Sequence, residues 1–231
     1  MTTELYLIRH GESVANVEPI IGGRRGDLGL TDRGRRQAEL LEQRLVDSPI
    51  SADVLYTSTL PRARQTAEYV SRGVGLEPRV DDSLRELDPG AADGLSVAEW
   101  RERFPGFGPG RLSANPFHEF APGGESWAQF LGRAGAALMA LVHRHPDQTV
   151  VAVTHGGVIE TSVMTGFGLG ATAHHVGFDL LNTGITHWRH TPSTEEQDPS
   201  WTLVTLNDAG HLAGEVSGDD PRQAVPTPPE D

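Results

Sequence analysis

Short apolar runs alternate along this chain with stretches whose apolar positions recur at helical spacing, and Gly, Pro and polar clusters separate the two. Leu5-Tyr6-Leu7-Ile8 has strand length and stops at Arg9-His10-Gly11. Asn16 to Gly29, with Gly22, Gly23, Gly26, Gly29, Arg24 and Arg25, predicts a loop. Thr31 stands as an N-cap before a helix to Val46, with Ala38, Leu41 and Leu45 on one face and Ser48-Pro49 as its stop. Ala52–Tyr56 predicts a second strand, and Pro61 opens a helix to about Val70. Leu76–Val80 predicts an edge strand, and Ser96-Val97-Ala98-Glu99 a capping box. Pro105 to Gly124 has no periodicity and predicts an excursion over the sheet. Glu125-Ser126 opens a long helix to about His143, with Phe130, Leu131, Ala134, Leu138, Leu141 and Val142 inward.

Thr149–Thr154 is apolar on both faces, as a central parallel strand is. It ends at His155-Gly156-Gly157, before a helix through Val163. Phe178–Leu181 and Ile185–Trp188 predict strands around the turn Asn182-Thr183-Gly184, and Trp201–Leu206 a last strand. From Gly214 the chain is acidic, Pro-rich and apolar-poor, which predicts a disordered tail over 214–231 behind one domain over 1–213. Strands alternating with helices predict a three-layer α/β/α sandwich around a mostly parallel central sheet.

Composition narrows the functions this frame can carry. The 231 residues suit a single domain, and 37% hydrophobic with 22% charged residues describe a soluble globular chain. There is no cysteine, which excludes disulfides, thiolate metal sites and cysteine nucleophiles. Glu4 and Arg9 interrupt the first apolar run, unlike a signal peptide, and no run reaches membrane-spanning length. A cytoplasmic location without a membrane partner is the expectation. A net charge of −13 argues against nucleic acid, yet leaves room for a small anion in a local basic pocket.

The candidate chemistry lies where strands end. In open α/β sheets ligands bind beyond the carboxyl ends of the strands. Arg9-His10-Gly11 and Thr154-His155-Gly156-Gly157 are two such ends, and Thr57 to Ala67 leaves a third strand with Arg62 in the first turn of a helix. An imidazole can attack phosphorus, guanidinium groups grip phosphate oxygens, and helix N-termini favour anions. Brought to one edge, these groups make a phosphate cage. Taken alone, each is equally a basic surface turn.

Taken together they resemble the histidine phosphatase superfamily, whose fold is called phosphoglycerate mutase-like. Arg9-His10-Gly11, the Leu30-Thr31-x-x-Gly34-x-x-Gln37-Ala38 segment, Ser58-x-x-x-Arg62-Ala63-x-Gln65-Thr66-Ala67, Leu84-Arg85-Glu86, Gly123-Gly124-Glu125-Ser126 and Thr154-His155-Gly156-Gly157 follow that family's order, from about residue 4 to 212. The resemblance implies His10 as the nucleophile that takes the phosphoryl group. It implies Arg9, Arg62 and His155 on the phosphate oxygens, with Gly11, Asn16, Ser58 and the Gly156 amide nearby, and Glu86 as the acid that protonates the leaving oxygen. It implies a phosphatase acting on a small phosphorylated metabolite without cofactor or metal. A cofactor-dependent phosphoglycerate mutase and a non-catalytic phospho-ligand-binding module are the alternatives. The family's mutases carry a Glu-Arg-x-Tyr-Gly pattern and a lysine that are not seen here, which favours the phosphatase. The run Asp88–Gly94 lacks the aromatic residue common in such phosphatases, which leaves the substrate open.

Other features read more plainly. Arg24 and Arg25 suit a solvated loop, although they could reach a second anionic group. Phe117, His118 and Phe120 fall in the excursion expected to roof the pocket. His174-His175 and His143/His145 have spacings that do not converge on a metal, since i, i+3 or i+4 residues share a helix face. Oligomeric state, a homodimer included, stays open.

Overall fold

The computed structural model describes residues 2–107, 115–171, 177–195 and 198–213. The His174-His175 pair and the 214–231 tail lie outside the described residues. Six strands form one sheet: β1 (Thr3–Arg9), β2 (Val54–Thr57), β3 (Pro78–Val80), β4 (Thr149–Thr154), β5 (Ile185–Thr191) and β6 (Ser200–Asp208). Their order is β3-β2-β4-β1-β5-β6. β3, β2, β4 and β1 pair in parallel, and β5 opposes both β1 and β6. The helices are α1 (Val14–Val17), α2 (Asp32–Asp47), α3 (Pro61–Val74), α4 (Val97–Arg103), α5 (Trp127–Arg144) and α6 (Gly156–Gly166). Among the described residues no helix is long and apolar enough to cross a membrane.

Side-chain alternation along the central strands builds two cores. Leu5 and Leu7 of β1, with Val150 and Ala152 of β4, pack against Phe130, Leu138 and Leu141 of α5 and Ile159 and Val163 of α6. Ile8, Val151, Val153 and Leu55 turn to the other face, against Leu41 and Leu45 of α2 and Ala63, Ala67 and Val70 of α3. Both faces are covered, so β4 reads as an unbroken apolar run, and the three-layer α/β/α sandwich expected from the sequence is the fold observed.

The helix starts follow their caps. Thr31 Oγ1 accepts from Gly34 N at 3.0 Å, and capping boxes at Ser96/Glu99 and Ser126/Gln129 open α4 and α5. α3 runs past the expected Val70 to Val74 and stops at Gly75, which takes the left-handed conformation. α1 reaches into the start of the predicted Asn16–Gly29 loop, opened by a capping box in which Asn16 Oδ1 accepts from Ser13 N at 3.0 Å.

The expectation of a strand at Phe178–Leu181 is corrected. Both edges of β1 are already paired, by β4 and β5, so this apolar segment finds no free edge. Its backbone is held by side chains instead: Leu181 N donates to Asn207 Oδ1 at 2.8 Å, and the Leu180 carbonyl accepts from Arg9. Residues 108–114 of the expected excursion lie outside the described residues, and its described part packs away from the cavity. Phe120 stacks on Trp100 at 4.6 Å in a small satellite core, Phe117 is exposed, and His118 packs edge-on to Phe107.

Candidate active site

Parallel register sets the site. Arg9 lies opposite Thr154 and Thr57 opposite Val153, so β1, β4 and β2 end at one level. The ladder runs one step further, His10 N donating to the Thr154 carbonyl and Ser58 N to the Val153 carbonyl, each at 3.0 Å. The His10 and His155 rings therefore become neighbours, with centroids 5.2 Å apart. A cavity of about 320 Å³ opens over this edge, lined by Arg9, His10, Asn16, Arg62, Glu86 and Gly156, together with Ser13, Gly157, Glu160, Phe178 and Leu180.

The tautomer of His10 follows from its partners. Nδ1 sits 2.7 Å from the Gly11 carbonyl, which can only accept, so Nδ1 carries the proton and the lone pair is on Nε2. Arg62 Nε donates to that Nε2 at 3.0 Å. Burial, and then the Arg62 and Arg9 charges, hold His10 well below the usual imidazole range, so the ring stays neutral. The backbone that supports it is tight. A Cβ on Gly34 would meet the Glu12 carbonyl oxygen at 1.9 Å, and one on Gly11 would meet the Gly34 carbonyl oxygen at 2.5 Å. These two glycines let α2 seat directly against the loop after β1.

Arg62 is buried and paired. Its Nη1 donates to Asp27 Oδ2 at 2.9 Å, and the Asp27 side chain is fully buried. Asp27 also accepts from Gly29 N at 2.9 Å and from Arg62 N at 3.3 Å. This carboxylate fixes the guanidinium against His10, and nothing in the sequence singled it out: Gly26-Asp27 resembles any turn in a glycine-rich loop.

His155 is completely buried, and burial with the neighbouring arginines keeps it neutral, well below the usual range. Its Nε2 lies 2.8 Å from Ser58 Oγ, which also accepts from Leu60 N at 3.3 Å. The hydroxyl proton has no other acceptor among the described residues, so Ser58 donates to Nε2 and the ring proton sits on Nδ1. Among the described residues that Nδ1 is buried without a hydrogen-bond partner, just beneath the cavity wall, which His10 and Gly156 line and His155 itself does not. Buried donors in proteins are almost always paired, so an orphaned one beside two arginines fits the oxygen of a bound anion.

Glu86 meets the N-terminus of α6. Its Oε2 accepts from Gly157 N and its Oε1 from Leu87 N, each at 3.0 Å. A Cβ on Gly157 would lie 2.3 Å from Glu86 Oε1, so the carboxylate and the helix start fit only because that residue is glycine. Behind it Arg133 donates to the Ser83, Arg85 and Glu86 carbonyls at 2.9, 3.1 and 3.2 Å. Arg133 is itself clamped by Glu125 at 2.6 and 2.7 Å.

The remaining sequence candidates fall around this cavity in different ways. Asn16 lines it, with Oδ1 already taken by Ser13 N and Ser13 Oγ at 3.0 Å, which leaves its amide NH2 as the free donor. Ser58 stands behind His155 and is not on the cavity wall, and Gly11 lends its carbonyl to His10 and its N–H to Thr66 Oγ1 at 3.0 Å. Arg24 is tied to Asp82 at 2.6 Å on the surface. None of Phe117, His118 and Phe120 is part of the cavity wall. Among the described residues no cluster of His, Asp or Glu is arranged to hold a metal. His145 is instead held by Tyr56 and Gln148 at 3.0 and 2.7 Å.

Comparison with known proteins agrees with this geometry. The sequence model of the histidine phosphatase superfamily (branch 1) matches residues 5–209. The 2,3-bisphosphoglycerate-dependent phosphoglycerate mutase of Brucella ovis is 31% identical over 190 residues, covering 80% of this chain and 90% of that protein. A mycobacterial glucosyl-3-phosphoglycerate phosphatase superposes with a TM-score of 0.73 at 26% identity, over 90% of this chain and 99% of that one. A phosphoserine phosphatase of Entamoeba histolytica superposes with a TM-score of 0.69 at 28% identity, over 91% and 99%. Its match across nearly the whole described fold, and its paired His-Gly strand ends over one arginine-lined cavity, place this chain in the histidine phosphatase superfamily.

Proposed function

We propose that this protein is a phosphatase that hydrolyses small phosphomonoesters through a phosphohistidine on His10. The observation that carries the reading is the state of that ring: neutral, with Nδ1–H fixed on the Gly11 carbonyl and the Nε2 lone pair turned to the arginines. In the first step Nε2 attacks phosphorus, the P–O bond to the alcohol breaks, and Glu86 gives its proton to the leaving oxygen. In the second, Glu86 takes a proton from water as that water attacks phosphorus, the P–N bond breaks, and phosphate leaves. Arg9, Arg62, the Asn16 amide and the orphaned His155 Nδ1–H are the donors for the three peripheral oxygens. A phosphate oxygen competes with His10 for the Arg62 Nε–H, so substrate entry frees the lone pair it needs. The chain's own cations and amides thereby meet the charge of the transferring group.

Relatives include both mutases and phosphatases, and a mutase uses the same first step but returns the phosphoryl group to a phosphoglycerate. The lysine that the family's mutases carry has no counterpart, since the 19 basic residues of this chain are all arginine. That favours water as the acceptor, and the small cavity suits a small phosphorylated metabolite as the substrate. The test is a rapid-quench reaction with a phosphorus-labelled aryl phosphate. An acid-labile, base-stable phosphoenzyme forms on the native chain and is absent from His10→Ala, which also loses turnover. Equal labelling of the alanine variant, or isomerisation of 3-phosphoglycerate without net phosphate release, would overturn the proposal.

A further inference from the structure

The cavity wall carries a second carboxylate that the reaction above does not use. Glu160 lies one turn beyond Gly156 on α6, half-buried, and lines the cavity beside Glu86, Phe178 and Leu180. Among the described residues no hydrogen bond or ion pair satisfies it. Elsewhere in the site the acids are engaged: Asp27 by Arg62, Glu86 by two backbone amides, Glu125 by Arg133. Burial and the neighbouring Glu86 push the Glu160 carboxyl up to about 7. A half-buried acid beside another carboxylate is stabilised by a cation, and among the described residues none supplies it. The pocket is thus polarised, with arginines at its floor where phosphate is held and an unpaired acid on its wall on the leaving-group side, where Glu86 stands.

We infer that Glu160, with the Phe178 ring lining the same cavity, binds an ammonium group on the leaving alcohol, so that the preferred substrates are short aminoalkyl phosphates. A carboxylate together with an aromatic ring is the pairing that recognises an alkylammonium ion. Gly156 and Glu160 stand i, i+4 on one helix face, a rise of about 6 Å, which corresponds to an alkyl spacer of about two or three carbons between phosphate and amine. A carboxylate at the same position of the substrate would be repelled by Glu160 and again by Glu86. A hydroxyl could bond Glu160 but would leave its charge unanswered. The inference rests on the phosphatase reading and adds the substrate class.

Three near-isosteric esters isolate the charge: O-phosphoethanolamine, 2-hydroxyethyl phosphate and phosphoglycolate, with 4-nitrophenyl phosphate as a common reference. For the native enzyme kcat/KM falls in that order, the amine exceeding the alcohol by about tenfold, the worth of one partly desolvated ion pair. In Glu160→Gln the amine-to-alcohol ratio drops to near one, phosphoglycolate gains, and the alcohol and the aryl reference keep their rates within about threefold. The reference and the alcohol report any general damage to Glu86, which a ratio cancels. If Glu160→Gln does not fold, the native order among the three esters decides alone. A native enzyme that turns over the alcohol as well as the amine, or a ratio unchanged by Glu160→Gln, overturns the inference and leaves the phosphatase reading standing. Absence of His10-dependent phosphate release from all four esters overturns both.

Discussion

The Asp27–Arg62 pair gives the sharpest energetic test of the site. Asp27 is fully buried and Arg62 nearly so, and the guanidinium that Asp27 neutralises is the one in contact with His10. Asp27→Asn keeps the side-chain shape and an acceptor for Gly29 N, but leaves Arg62 as a buried charge without its counterion. Removing one partner of a buried pair costs about 3–5 kcal/mol. The retained acceptor argues for the lower end, and for a chain of this length a loss of about 3 kcal/mol lowers Tm by roughly 6–12 °C. Activity falls as well, because Arg62 loses the contact that aims it, and kcat/KM on an aryl phosphate drops by about 10–100-fold. The double variant Asp27→Asn/Arg62→Met separates the two effects, since it removes the stranded charge and should regain most of the lost stability while activity falls further. Urea unfolding of the four proteins, read by fluorescence, supplies the cycle. A double variant as unstable as the sum of the two singles would refute the argument, because the cost would then lie in lost packing and not in an unanswered charge.

Other outcomes follow from the same contacts. Arg133→Met frees the Ser83–Glu86 backbone from its clamp, so hydrolysis of alkyl phosphates, which need a proton from Glu86, should slow by about tenfold or more while aryl phosphates change little; equal losses on both would show that Arg133 does not act through Glu86. Gly34→Ala pushes a methyl group into the Glu12 carbonyl at 1.9 Å and should cost about 1–3 kcal/mol of stability, and a variant as stable as the parent in urea would contradict that close approach. His211 is held down to about 4 by burial and then by the Arg44 charge, and Asp208 to about 2, chiefly by its hydrogen bond from Arg44. Both folded values lie below the unfolded ones, so both contributions are complete above about pH 6.5 and are lost as pH falls, His211 between about 6.5 and 4 and Asp208 below that. The urea midpoint should therefore fall between pH 7 and pH 5, and less so in His211→Asn; a midpoint that does not move between those pH values would count against it.

What could be read in the chain beforehand was whatever repeats or is spaced along the backbone. The two His-Gly strand ends were legible because each follows an apolar run of strand length, and the parallel register of β1 on β4 then brings them together without further instruction. Caps were legible for the same local reason, as at Thr31, Ser96 and Ser126. Phe178–Leu181 misled because hydrophobicity reports burial and not pairing; the segment is partly buried, but β5 had already taken the edge of β1 it would have needed.

Asp27 and Glu160 escaped for a different reason. Neither belongs to a pattern, and each acquires its meaning only from a group far away in sequence: Asp27 from a guanidinium 35 residues on, Glu160 from an acid on the loop before α4. A lone acid in a glycine-rich loop and a lone acid on a helix look the same in sequence, as solvated surface. The fold separates them. Asp27 is answered by a buried arginine and so serves the scaffold that aims Arg62, whereas Glu160, also a carboxylate, sits on a cavity wall where no described residue answers it. Among otherwise similar carboxylates, the one left unpaired at the open end of a cationic floor is the one whose partner has to arrive with the substrate.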